Sequence, residues 1–188
     1  MFKKLFIVPA LTIAFVLLTI NYSQAQVSLN DKNSYTGVKS CGMCHKKDKD
    51  GSQLKIWEES KHVQAFKVLA SPEAKKIAAA KGIADPQKEK ACLICHAIGY
   101  QAGALVDKKF SIEDGVQCES CHGAGSEYKS MKVMKNHTAA VAAGMRDFSK
   151  DGSIKDLCIT CHNEKSPTFK GFNFEEKWKE IAHPIPKG

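Results

Sequence analysis

Residues 115–125 read Gly115-Val116-Gln117-Cys118-Glu119-Ser120-Cys121-His122-Gly123-Ala124-Gly125. At the centre is the pattern Cys-x-x-Cys-His. Three more copies lie along the chain: Cys41-Gly42-Met43-Cys44-His45, Cys92-Leu93-Ile94-Cys95-His96 and Cys158-Ile159-Thr160-Cys161-His162. Together the four copies use all eight cysteines. The spacing is that of covalent haem attachment. Two thiols three positions apart on a helical turn reach the two vinyl groups of one porphyrin, and the adjacent imidazole turns onto the iron.

Two other uses of paired cysteines fit less well. A structural zinc site has no need of a histidine directly after each second cysteine. Two cysteines separated by two residues make a redox-active bridge more often than a structural staple. Successive first cysteines lie 51, 26 and 40 residues apart, so the copies are not equal modules of a tandem array. The pattern predicts one domain built around four haem c groups, held by Cys41, Cys44, Cys92, Cys95, Cys118, Cys121, Cys158 and Cys161, with His45, His96, His122 and His162 as first axial ligands.

Residues 1–25 carry Lys3 and Lys4, then an apolar stretch at 5–20, then Ser23-Gln24-Ala25. This is the pattern of a secretory signal peptide. The stretch contains Pro9 and is shorter than the roughly 20 residues of a spanning helix. The expected mature chain is 26–188, periplasmic or otherwise exported, with no integral membrane segment.

Four irons bound on one side need four more ligands to be six-coordinate, and the chain has only three more histidines: His62, His137 and His183. All three are candidate distal ligands, which leaves one haem five-coordinate or with an unusual ligand. Met131, Met134 and Met145 could offer a thioether, although packing against porphyrin is the expected use of such side chains. His62 lies in 52–70, where Leu54, Trp57, Ala65, Phe66 and Leu69 recur at helical spacing. His183 ends an amphipathic stretch at 174–182 and is followed by Pro184. Ser71-Pro72 and Asp85-Pro86 read as helix starts, predicting helices at 72–81 and 86–96. Gly99, Gly103 and Gly115 argue for loop, with a brief extended piece at 104–106. The expected fold is mainly α: short helices and long loops wrapped around four covalently bound haems, with little or no sheet.

At this level the chain resembles the tetrahaem cytochrome c-554 family of nitrifying bacteria. The resemblance runs from about Lys39 to Pro184. It is carried by the first motif followed by Ile56-Trp57-Glu58-Glu59-Ser60-Lys61-His62, the second followed by Gly99-Tyr100, the whole 115–125 block, and Phe172-Asn173-Phe174-Glu175-Glu176 leading to His183. The resemblance implies that His45 pairs with His137 on the first haem, His122 with His62 on the third and His162 with His183 on the fourth, leaving His96 alone on an open second haem. It also implies haems stacked closely enough for electron hopping. One departure is a shorter stretch between His162 and His183 than in the nitrifier member of the family.

Three functions are consistent with these features. The first is an exported carrier that passes electrons between redox partner proteins through stacked haems. The second is an enzyme reducing a small nitrogen compound (nitric oxide, hydroxylamine or nitrite) at the open haem on His96. The third is a subunit of a larger multihaem assembly. The formal charge is +8, a balance that by itself suggests nucleic acid. Removing Lys3 and Lys4 leaves +6. Four haems add about eight negative propionates and about one positive charge per ferric iron, which brings the holo-protein to about +2 oxidised and about −2 reduced. The excess lysine is a counterweight to propionates, and nucleic acid is not an expected partner.

Overall fold

A computed structural model describes residues 32–97, 104–149 and 153–185. The proposed signal peptide and the glycines at 99 and 103 lie outside these residues.

Among the described residues nine short α-helices are joined by loops and 3-10 turns: α1 (Val38–Gly42), α2 (Gln53–Glu59), α3 (Pro72–Ala80), α4 (Lys90–His96), α5 (Cys118–His122), α6 (Met131–Met134), α7 (His137–Ala142), α8 (Ser153–Ile159) and α9 (Phe174–Ile181). The only β pairing among them is an isolated parallel bridge between Tyr35 and Val106. It sits on the extended piece expected at 104–106, where Tyr35 N donates to Leu105 O and Asp107 N to Tyr35 O, both at 2.8 Å. The fold is mainly helical, as expected. No helix among the described residues is long and apolar enough to cross a membrane.

Local chemistry accounts for most helix ends. Ser71 accepts from Ala74 N at 3.1 Å and Pro72 occupies the first turn, so α3 starts where the serine-proline pair places it. Asn136 and Asn173 cap α7 and α9 in the same way, accepting from Ala139 N and Glu176 N. The second proline behaves differently. Asp85 accepts from Gln87 N and closes a turn over Pro86, and the helix starts only at Lys90, with the Glu89 side chain accepting from Ala91 N. The expected helix at 86–96 is therefore shortened to its last 7 residues. The 52–70 stretch is likewise broken, into α2 and two 3-10 turns at Lys61–Gln64 and Lys67–Ala70. At the first break Ser60 Oγ donates to Trp57 O at 2.7 Å and accepts from His62 N at 3.2 Å. A serine that satisfies the backbone on both sides competes with the helical ladder.

The apolar core is thin. Leu69, Leu93 and Ala97 form one cluster, flanked by Phe66, Cys92 and Ile112. Ten apolar side chains are buried among the described residues, and four of these are alanines. Asn33, Thr36, Gln53, Gln117 and Glu119 are buried alongside them. Much of this buried polarity fastens the segment at 33–38 onto the third motif. Asn33 donates to Ala143 O, Ser34 N to Ser126 Oγ, Thr36 N and Gly37 N to the Glu119 carboxylate, and Val38 N to Gln117 Oε1.

Candidate functional site

Each Cys-x-x-Cys-His copy forms a helical turn. In the first, Cys44 N and His45 N both donate to Cys41 O, at 3.2 and 3.1 Å; in the fourth, Cys161 N and His162 N donate to Cys158 O, at 3.2 and 3.0 Å. The second motif ends α4, and the third is the whole of α5. All eight thiols are free. In every copy the two cysteines and the histidine therefore sit within one turn, as attachment of one porphyrin requires.

The motifs meet in pairs. α1 packs against α5, and the neighbouring thiols act on each other, driving Cys41 up and Cys118 down. The Cys95 and Cys161 thiols do the same, driving Cys95 up and Cys161 down. The first motif is thus held beside the third, and the second beside the fourth. Burial pushes the Cys121 thiol up to about 11. Among the described residues no three His, Cys, Asp or Glu side chains gather where they could hold a bare metal ion.

Two pairs of histidine rings face each other. His62 and His162 have centroids 6.1 Å apart, and His122 and His183 5.8 Å apart. Two imidazoles bound to one metal from opposite sides, each at about 2 Å, stand with centroids roughly 6 Å apart. These pairs fit axial ligation of one haem each. Burial lowers the pKa of all four rings, that of His122 to about 4. The neutral form that burial favours has a ring nitrogen free to bind iron. The pairing differs from the one implied by the resemblance, which sets His62 opposite His122 and His183 opposite His162.

Both distal candidates are tethered by their neighbours in sequence. Val116 N donates to His62 O at 3.1 Å, and Trp57 Nε1 to Val116 O at 2.8 Å, tying the turn at 61–64 to the chain entering the third motif. Gly115 makes the approach possible. With φ at +67°, a Cβ there would lie 2.7 Å from His62 O. His183 is held through its neighbour: Gln53 Nε2 donates to Pro184 O at 2.9 Å, and α9 packs against α2, which packs against α1. The C-terminal imidazole is thereby brought to the side of the molecule shared by the first and third motifs.

The remaining three histidines have other surroundings. His96 Nδ1 lies 2.6 Å from Ala65 O. A carbonyl only accepts, so Nδ1 carries the proton and Nε2 keeps its lone pair for a metal. His137 is 61% exposed, with Nε2 3.6 Å from Asp147 Oδ1, and no ring contact joins it to His45. Of the candidate methionines, Met131 is 66% exposed.

Several residues to which the sequence assigned no role as ligands shape the site. Phe172 stacks on the His162 ring at 4.5 Å with the planes 9° apart, and Phe148 meets His122 edge-on at 6.0 Å. Tyr128 Oη donates to Gly123 O at 2.5 Å. Arg146 N donates to His122 O at 2.9 Å while its guanidinium donates to Ser120 O and Cys121 O. Arg146 had one visible signal, being the chain's single arginine among 28 cationic side chains. Glu119 had none beyond its place inside a Cys-x-x-Cys pair.

Residues 40–123 match the family described as cytochrome c554 and c-prime. The chain is 30% identical to cytochrome c-554 of Nitrosomonas europaea over 200 residues, covering 90% of this chain and 81% of that protein. No solved structure matches at a significant level.

Proposed function

The chain belongs to the cytochrome c-554 family of c-type cytochrome electron carriers, and on that premise we propose that it is an exported tetrahaem cytochrome relaying electrons between redox partner proteins. Haem c, when bound, supplies a one-electron ferric/ferrous couple. The chain's own residues do the rest. The four cysteine pairs fix position, the imidazoles present lone pairs to iron, and burial favours the neutral form of His62, His122, His162 and His183. The observation that carries the reading is the closeness of the motifs, α1 with Cys41 packed on α5 with Cys118, and the Cys95 thiol acting on that of Cys161. Groups attached at those sulfurs would be close neighbours, as a relay requires.

In this reading His162 shares its iron with His62, and His122 shares its iron with His183. His137 is left for the first haem with His45. No histidine ring faces His96 among the described residues, which favours a second haem with one open side. A nitric oxide, hydroxylamine or nitrite molecule fits such a position chemically, and ligand binding there is the second reading.

Intact mass should exceed that of the mature polypeptide by four haems, and a smaller increment would end the tetrahaem proposal. Electron paramagnetic resonance of the oxidised protein should show three low-spin and one high-spin ferric centre. The pairing has its own check. In a Cys158→Ser, Cys161→Ser chain lacking the fourth haem, His183→Ala should still convert a low-spin centre to high-spin, while His62→Ala should convert none. The reverse result would restore the pairing implied by the family resemblance.

A further inference from the structure

The four motifs differ in what stands between their two cysteines. The second motif has Leu93, fully buried in the apolar cluster. The fourth has Ile159 and Thr160, and the first Gly42 and Met43, with Met43 and Ile159 exposed. The third has Glu119, a carboxylate 1% exposed, with Tyr128 and Thr36 buried nearby. Thr36 N reaches its two oxygens at 2.8 and 3.0 Å, Gly37 N at 2.8 Å, Gly125 N at 2.7 Å and Thr36 Oγ1 at 3.3 Å. Three of the four groups are backbone N–H groups that can only donate, the fourth being a hydroxyl, and such a set favours a carboxylate over its acid. The site holds a negative charge in the interior, where a charge acts on its neighbours with little screening.

Arg146 meets the same turn at its last carbonyls. Its guanidinium donates to Ser120 O at 3.0 Å and Cys121 O at 2.7 Å. Ser120 and Cys121 follow Glu119 directly, so one five-residue helix carries a buried anion on a side chain and a cation bound at its C-terminal carbonyls. The opposed fields already reach the attachment atoms. Glu119 disfavours negative charge on Cys41, Cys118 and Tyr128, and Arg146 favours it on Cys121 and Tyr128. No other motif has a buried charged side chain between its cysteines.

We propose that Glu119 and Arg146 set the reduction potential of the haem carried by Cys118 and Cys121, Glu119 lowering it and Arg146 raising it. This rests on the tetrahaem reading above. Reduction adds an electron, so a fixed anion opposes it and a fixed cation assists it. Both residues act through the field they impose, as positioning charges rather than ligands. The geometry also gives Glu119 a structural part, since it ties 36–37 to α5, and the test must separate the two roles.

The experiment is a redox titration of the holo-protein, each sample first shown by intact mass to hold four haems. A mass deficit in the unmodified chain counts against the tetrahaem reading, whereas unchanged midpoints in a four-haem variant count against the present proposal. Glu119→Gln should move the midpoint of the third haem furthest to more positive potential, on the order of tenfold in the reduction equilibrium, or about 59 mV for a one-electron couple. Arg146→Gln should move the same midpoint in the negative direction, and Arg146→Lys, which keeps the charge, should leave it near its original value. If Glu119→Gln does not assemble, the two arginine variants decide alone. The proposal is overturned if Arg146→Gln leaves every midpoint in place, if Arg146→Lys shifts it as far as Arg146→Gln does, or if all four midpoints move equally.

Discussion

Gly115 shows how much of the site can depend on one hydrogen-sized side chain. At φ +67° a Cβ would sit 2.7 Å from His62 O and 3.3 Å from the nitrogens of Ala65 and Phe66, all of them backbone atoms. Those atoms belong to the turn that carries His62 and offers Ala65 O to His96. Gly82 has nearly the same dihedral, φ +70°, but nothing within 4 Å of its Cβ position. Gly82→Ala should cost about 1 kcal/mol, the left-handed strain alone. Gly115→Ala should cost at least about 2 to 3 kcal/mol more, because backbone has to move. Thermal unfolding of the two holo-variants measures the difference. The 115–125 block was conspicuous in the sequence, but the demand for glycine at 115 was not, because it arises from a segment about 50 residues earlier. The same holds for Glu119, whose donors come from 36–37 and Gly125. Haem attachment could be read from five adjacent residues; a field made by distant backbone could not.

At the scale of elements, helix ends made by neighbours in sequence were legible and helix interruptions were not. Ser71-Pro72 and the apolar face at 174–182 gave α3 and α9 to within a residue or two. The 52–70 stretch has helical spacing throughout, yet it breaks at Ser60. Periodicity reports which side chains face inward and does not see a hydroxyl competing for Trp57 O and His62 N. The break has a consequence for the site, since a continuous helix would carry His62 on the face of Trp57's neighbours rather than on a turn bound to Val116. Ser60→Ala removes both bonds. It should cost about 1 kcal/mol, the usual loss of a helix-terminal side-chain bond. It should also loosen the His62–His162 pairing, seen as a broadened low-spin signal in paramagnetic resonance. A Ser71→Ala variant should cost a similar amount, as α3 loses its cap, but leave that signal unchanged. Equal spectral effects from the two serines would show that His62 is not held by its turn.

For the whole molecule the decisive feature is how little protein there is in its core. Among the described residues the apolar cluster joins Leu69, Leu93 and Ala97, and its flanking residues include Cys92, itself an attachment thiol. Four of the ten buried apolar side chains are alanines, and buried Asn33, Thr36, Gln53, Gln117 and Glu119 add polar groups that stabilise only when every bond is made. A domain of this length ordinarily offsets the entropy of ordering its backbone with a larger apolar interior. Here the histidine rings that bring distant segments together are pairs that one haem would bridge, His62 with His162 and His122 with His183, while the neighbouring thiols, Cys41 by Cys118 and Cys95 by Cys161, would carry separate haems side by side. Those contacts between segments far apart in sequence depend on haem for most of their strength, since few apolar side chains bury beside them. Replacing all eight cysteines by serine should therefore abolish cooperative thermal unfolding and leave a chain that a nonspecific protease degrades, while the four-haem protein resists digestion under the same conditions. Restoring the third motif alone should not rescue the fold, because α5 is then anchored to 33–38 but the second and fourth motifs remain without their haems. A compact, protease-resistant serine variant would mean that the thin core of Leu69, Leu93 and Ala97 suffices, and that haem is carried by this fold rather than required for it.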